Sequence, residues 1–138
     1  MLYLLSKLYH RRKRNMGDLS AHFSKKEFAC KCGCGFNTPA PELVEKLEKL
    51  RELCGNQPLH INSACRCEKH NAKVGGSPNS QHKLGHAADV RKILGISIDE
   101  MARKAERAGF NGIGKYDSFL HVDVRGTRAR WDYRKKKK

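Results

Sequence analysis

Two stretches restrict most strongly what this chain can fold into: Ser80-Gln81-His82-Lys83-Leu84-Gly85-His86-Ala87-Ala88-Asp89 and, further on, Phe119-Leu120-His121-Val122-Asp123-Val124-Arg125. Together they carry a histidine, an aspartate and a histidine in that order. Two imidazoles and a carboxylate that meet at one point make three metal ligands with a position left for water, which is how a catalytic zinc site is built. His82 and Asp89 cannot share a helix face as cleanly as the paired histidines of an HExxH helix do. With Gly85 between them, a loop leading into a strand can bend both toward one point. His121 lies in a strand-like run and Asp123 two residues later, so period-two geometry puts both on one face of a sheet. From there Asp123 can reach a metal-held water, or orient His121 from behind.

The rest of the chain alternates short helices and short strands. Ser24-Lys25-Lys26-Glu27 has the capping-box pattern that opens a helix, which soon meets the glycine-rich Cys30-Lys31-Cys32-Gly33-Cys34-Gly35. From Pro39 to Cys54, Leu43, Leu47, Leu50 and Cys54 recur at spacings of three and four, which predicts an amphipathic helix closed by Gly55. Leu59 to Ala64 reads as a strand, Glu68 to Val74 as a short helix, Ser77 to His82 as loop, and Ala87 to Val90 as a strand carrying Asp89. Ser97-Ile98-Asp99-Glu100 is a second capping box. It opens a helix with Ile98, Met101, Ala102, Ala105 and Ala108 on one face, ended by Gly109. Gly112 to Lys115 and Phe119 to Val124 form an antiparallel pair around Tyr116-Asp117-Ser118. No regular βαβ rhythm is present, so the class is α+β: a small single domain with a central antiparallel sheet flanked by helices.

A chain of 138 residues is the size of one domain. Its net charge of +15 calls for an anionic surface or polyanion nearby. Residues 1–17 read as a flexible basic arm and 133–138, ending in Lys135-Lys136-Lys137-Lys138, as a basic tail. The apolar residues Met1 to Leu8 precede the charges Arg11 to Arg14, the reverse of a secretory signal, so no cleavable signal is read and Met16 is a candidate start. No apolar run is long enough to span a membrane.

The string Ser80-x-His82-x-x-Gly85-x-Ala87-x-Asp89, followed by His121-x-Asp123, resembles the M15 family of zinc peptidoglycan peptidases. That family holds D-Ala-D-Ala carboxypeptidases and L-alanyl-D-glutamate endopeptidases, phage endolysins among them. Ser63-Ala64-Cys65-Arg66, His70-Asn71, Val74-Gly75-Gly76-Ser77 and Asn79-Ser80-Gln81-His82 fit the same pattern, and the likeness covers residues 20–131. The resemblance implies a hedgehog/DD-peptidase-like fold over 18–132, one catalytic Zn2+, and His82, Asp89 and His121 as its ligands. It also implies Arg66 as the group gripping a substrate carboxylate or carbonyl, a role that suits a planar guanidinium. Ser80 and Gln81 either bind the substrate backbone or shape their loop. The chain departs from the family at the general base: Ser118 and Phe119 stand where other members place a glutamate or a histidine. Asp123 is then the first candidate for the base and Asp117 the reserve.

The implied reaction is hydrolysis of peptidoglycan stem peptides, with removal of a terminal D-Ala as the first reading. An endolysin-type endopeptidase is the alternative. A monomer acting at an anionic cell wall after cytoplasmic synthesis, in a phage or prophage lytic setting, is the expected context. A non-catalytic basic module binding cell wall or nucleic acid is the rival of another class, although no recognised nucleic-acid motif is present. The six cysteines, Cys30, Cys32, Cys34, Cys54, Cys65 and Cys67, leave three readings open: reduced thiols, disulfides, or a second metal held between Cys30/Cys32/Cys34 and Cys65/Cys67. Cys54 completes an apolar helix stripe and reads as core. Trp131 caps the core or lies on the rim of a groove.

Overall fold

The computed structural model describes residues 17–135; the expected N-terminal arm and the last lysines lie outside them, apart from residue 17 and residues 133–135. Helix α1 (Lys25–Phe28) begins where expected: the Glu27 carboxylate accepts a hydrogen bond from the Ser24 backbone N–H at 2.8 Å. Phe23 and Phe28 flank it, edge to face at 5.8 Å, and both are buried. Helix α2 (Pro41–Leu53) starts with proline at its first turn, where the missing N–H costs nothing. It buries Leu43, Val44, Leu47 and Leu50, and the chain leaves it through Gly55 at φ +87°. Cys54 is buried beneath the same stripe, as expected.

Strand β1 (Ile61–Ser63) is shorter than the predicted Leu59–Ala64, and its ladder to the next strand is irregular between Ile61 and Ser63. Helix α3 (Glu68–Lys73) and a 3-10 turn (Gln81–Leu84) follow, so the end of the predicted loop is in fact helical. The 3-10 turn stops at Gly85, whose φ of +74° and closeness to the Thr38 carbonyl exclude a side chain. Strand β2 (Ala87–Arg91) leads to helix α4 (Ile98–Ala108), where the Ser97 hydroxyl accepts from Glu100 N–H at 3.0 Å. Strands β3 (Gly112–Lys115), β4 (Phe119–Asp123) and β5 (Ala129–Asp132) complete the fold.

These strands make one five-stranded sheet in the order β1-β2-β4-β3-β5. The expected β3–β4 hairpin is present, and β2 and β1 extend it antiparallel. The central antiparallel sheet is present in β1, β2, β4 and β3, and β5 adds a parallel edge strand beside β3, through Gly112↔Ala129 and Gly114↔Trp131. The sheet is therefore mixed and the fold α+β. Ala129-Arg130-Trp131-Asp132 alternates apolar and polar residues, but over only four positions, too short a run to announce a strand.

Register sorts the sheet's two faces. Residues directly opposite one another across a ladder share a face. Asp89 on β2 pairs with His121 on β4, His121 with Gly114 on β3, and Gly114 with Trp131 on β5. One row on the face away from the core therefore crosses four strands. On the other face Ala88, Val90, Ile113, Leu120 and Val122 join the apolar sides of α2 and α4 in a single core. Along β3 the apolar Ile113 serves the core, while a Cβ at Gly112 would overlap the Asp123 carboxylate and one at Gly114 the Trp131 indole.

Two substitutions test this arrangement by thermal or chemical unfolding. Leu47→Ala removes a fully buried side chain from α2 and should cost about 2–5 kcal/mol. Gly114→Ala should also destabilise, and pairing it with Trp131→Ala should recover part of that loss because the two share one space.

Candidate metal centre and cleft

His82, Asp89 and His121 are brought together as the sequence spacing predicted. One ligand atom from each lies within 4.8 Å of the others, and all three residues are buried. Ser80 caps the 3-10 turn by accepting the His82 backbone N–H at 3.1 Å. The His82 ring reaches back to the Ala64 carbonyl through Nδ1 at 2.6 Å. A carbonyl only accepts, so Nδ1 carries the proton and Nε2 presents a lone pair, 3.3 Å from Asp89 Oδ1. His121 is held the other way round. Its Nε2 meets Asp123 Oδ2 at 2.7 Å, and its Nδ1 faces Asp89 Oδ1 at 3.1 Å.

Both imidazoles are thus anchored at one nitrogen and directed at Asp89 with the other. Two ring lone pairs and a carboxylate oxygen converging in a buried place fit a bound cation, and nitrogen with oxygen donors suit zinc. The same contacts set the charges. Burial opposes ionisation of Asp89, but where no cation is held the two facing imidazoles, once protonated, outweigh it and hold the carboxyl well below its usual range. Burial pushes His121 down, while its bonds to Asp123 and Asp89 raise it above the usual value.

The three residues sit in the wall of a cleft of about 560 Å³. Arg66, Ser80 and Gln81 line it on one side, together with Gly75 to Ser77. Arg66 spans Ser63 Oγ (3.2 Å), Asn71 Oδ1 (3.1 Å) and Asp89 Oδ2 (3.4 Å). Gly76 allows this, since a Cβ there would press on Asn71 and on Arg66 Nη1. The opposite side is aromatic. Tyr116 stacks on Phe119 at 4.3 Å, Tyr133 meets Tyr116 edge on, and Trp131 lies 5.0 Å from the His121 ring.

The expected base candidates sit elsewhere. Asp123 is fully buried behind His121. Its Oδ1 accepts from the Arg125 backbone N–H at 3.1 Å and from Nε at 2.9 Å, and its Oδ2 accepts from Arg125 Nη2 at 2.7 Å besides His121. Burial raises its pKa and these bonds bring it well below the carboxylate range. A carboxylate so enclosed does not face the cleft; period-two geometry put it on the correct face, but one step behind the ligand. Asp117 is exposed on the β3–β4 turn, its carboxylate near the Lys135 backbone N–H at 3.3 Å, and it does not line the cleft. Among the residues lining the cleft, Asp89 is the only carboxylate.

Two cleft residues escaped the sequence reading. Arg125 lies 5.2 Å over the Trp131 ring while pairing with Asp123. Tyr116 accepts the Trp131 indole N–H at 3.0 Å, which leaves its own hydroxyl proton free to donate. The contacts of both residues with Trp131 have no sequence signal, because they depend on β5 packing beside the hairpin.

A mixed sheet carrying a His–Asp–His ligand set in the wall of an open cleft defines a small metal-binding α+β domain. The chain belongs to the peptidase M15 family, whose model matches residues 21–123. Over 45 residues, 33% of this chain, it is 42% identical to the zinc D-Ala-D-Ala carboxypeptidase of Streptomyces albus G. The match spans 18% of that relative's length.

If Asp123 serves to hold His121, Asp123→Asn should weaken zinc affinity by about 10- to 100-fold. Titration of the metal-free protein against a competing chelator measures this. Activity should return when zinc is supplied in excess; loss of a proton acceptor would not be repaired that way.

Proposed function

We propose that this domain is a zinc-dependent peptidase that hydrolyses peptidoglycan stem peptides, with removal of a terminal D-Ala as its reaction. The observation carrying the proposal is the convergence of His82 Nε2, His121 Nδ1 and Asp89 in a cleft that also presents the Arg66 guanidinium. The family membership and the name of the Streptomyces relative support the same reading.

Zinc held by His82, Asp89 and His121 supplies Lewis acidity toward a peptide carbonyl and water. The chain's own residues do the rest. Ala64 and Asp123 fix the tautomers of His82 and His121, so that each offers one defined lone pair. Arg66, already on Asp89, has its charge directed into the cleft, where a substrate's terminal carboxylate can share the guanidinium. This favours a peptide cut near its free end. Gln81 and the Ser80 hydroxyl offer polar partners for the peptide backbone, and the aromatic wall of Tyr116, Phe119, Trp131 and Tyr133 packs its apolar parts. The Tyr116 hydroxyl, its oxygen already occupied by the indole N–H, donates toward oxygen charge that develops on the substrate. Asp123 is a positioning residue in this scheme, not the proton acceptor.

Purified peptidoglycan incubated with zinc-loaded protein should release D-Ala, detected by mass spectrometry, and His82→Ala should release none. Products cut inside the stem peptide would replace the carboxypeptidase reading with an endopeptidase. Absence of any product from zinc-loaded, folded protein would overturn the enzyme. Arg66→Ala should act mainly on KM, raising it by about 10- to 100-fold. Tyr116→Phe should lower kcat by about 100-fold with little change in KM.

A further inference from the structure

The cysteines outside the cleft form a second constellation. Cys30, Cys32, Cys34 and Cys67 each place Sγ so that the four sulfurs lie within 4.8 Å of one another. Cys30 and Cys32 are 3.5 Å apart, and Cys32 and Cys67 3.6 Å. Four thiolates at about 2.3 Å from one zinc ion in a tetrahedron lie about 3.8 Å from each other. We propose that these four residues bind a structural zinc ion, separate from the centre in the cleft.

The local chain is built for convergence. Residues 30, 32 and 34 alternate, and in an extended strand their sulfurs would be strung out along one side. Gly33 at φ +82° and Gly35 at φ +95° curl the segment instead. The loop is closed by Gly33 N–H to Cys30 O at 3.2 Å and Cys30 N–H to Phe36 O at 2.8 Å. The fourth sulfur comes from the chain between β1 and α3. Backbone N–H groups point at two of the sulfurs: Cys67 N–H donates to Cys30 Sγ at 3.4 Å and His70 N–H to Cys67 Sγ at 3.3 Å. Such donors stabilise sulfur that carries negative charge, and metal-bound thiolate is sulfur of that kind.

Pairwise disulfides explain the arrangement less well. Cys32 approaches both Cys30 and Cys67, so the cluster has no preferred couples, and all six cysteines are free. The sequence expectation that Cys65 would share a second metal is corrected by the same geometry. Cys65 is buried in the core, and burial pushes its thiol up to about 11. Four all-sulfur ligands at tetrahedral spacing with no open position describe a structural site rather than a catalytic one.

The ion would tie the loop after α1 to the residue that follows Arg66. Arg66 is also fixed by its own N–H to the His82 carbonyl at 3.0 Å. The cluster thereby steadies the chain from which the guanidinium enters the cleft, without touching the cleft itself.

The experiment counts metal in the full chain, purified under reducing conditions with zinc present. His82→Ala, with every cysteine intact, should retain one zinc per chain. Cys32→Ser combined with Cys34→Ser, both at exposed positions, should lose that zinc while leaving the His–Asp–His centre loaded. Replacement of zinc by cobalt adds a direct reading. A strong near-ultraviolet sulfur-to-cobalt band should appear in wild type, His82→Ala and Cys54→Ala, and be absent from the double serine variant. A folded His82→Ala protein without metal and without that band would overturn the proposal, as would recovery of the four cysteines as disulfides. Because His82→Ala removes only the cleft centre, failure of that centre and failure of this one are read separately.

Discussion

The pairing of Asp89 with His121 across β2 and β4 is the constraint on which the site rests. Opposed residues in an antiparallel ladder have their Cβ atoms about 5 Å apart. Two of the three candidate ligands are therefore fixed by backbone hydrogen bonds before any side chain chooses a rotamer. The 3-10 turn brings only the third, His82, and that turn is itself tied down by Arg66 N–H on the His82 carbonyl and His86 N–H on the Gln81 carbonyl. A slip of β2 by one residue against β4 would turn Asp89 into the apolar core and set Ala88 or Val90 opposite His121. The core face, filled by α2 and α4, makes such a slip costly. Stability and site geometry are thus enforced by the same ladder.

Charge is handled in layers around that pair. Asp89 is shared by two imidazoles and a guanidinium; Asp123 is shared by one imidazole and a second guanidinium. Each buried carboxylate has cationic or hydrogen-bonding partners, which is the condition for keeping it ionised away from water. The two arginines differ in what remains to them. Arg125 spends its N–H groups on Asp123 and its face on Trp131, whereas Arg66 is spread over three partners at longer distances and keeps capacity for a ligand.

Much of this was legible in the sequence because it depends on short-range rules. The leucine spacing of α2, the serine caps, the glycine stops and the β3–β4 hairpin are local patterns, and the structure contains them. The His–Asp–His set was legible because its residue types and order are unusual. What stayed hidden depends on elements meeting from far apart. Strand β5 carries only four alternating residues and is fixed by its parallel ladder to β3. The Arg125 clamp on Asp123 is local, two residues away, but nothing in the spacing marks it, so the face of Asp123 could be predicted and its depth could not. Cys67 and Cys65 are indistinguishable by spacing; only the path of the chain between β1 and α3 turns one to the cluster and the other inward.

The two glycines of β3 leave space for larger side chains on neighbouring strands. Gly112 makes room for the Asp123 carboxylate and Gly114 for the Trp131 ring. Positions 112 and 123, and likewise 114 and 131, therefore divide a fixed volume between them. In descendants of this sequence, growth at one member of a pair is open only where its partner has already shrunk, so these four sites drift as two linked couples and not as independent letters.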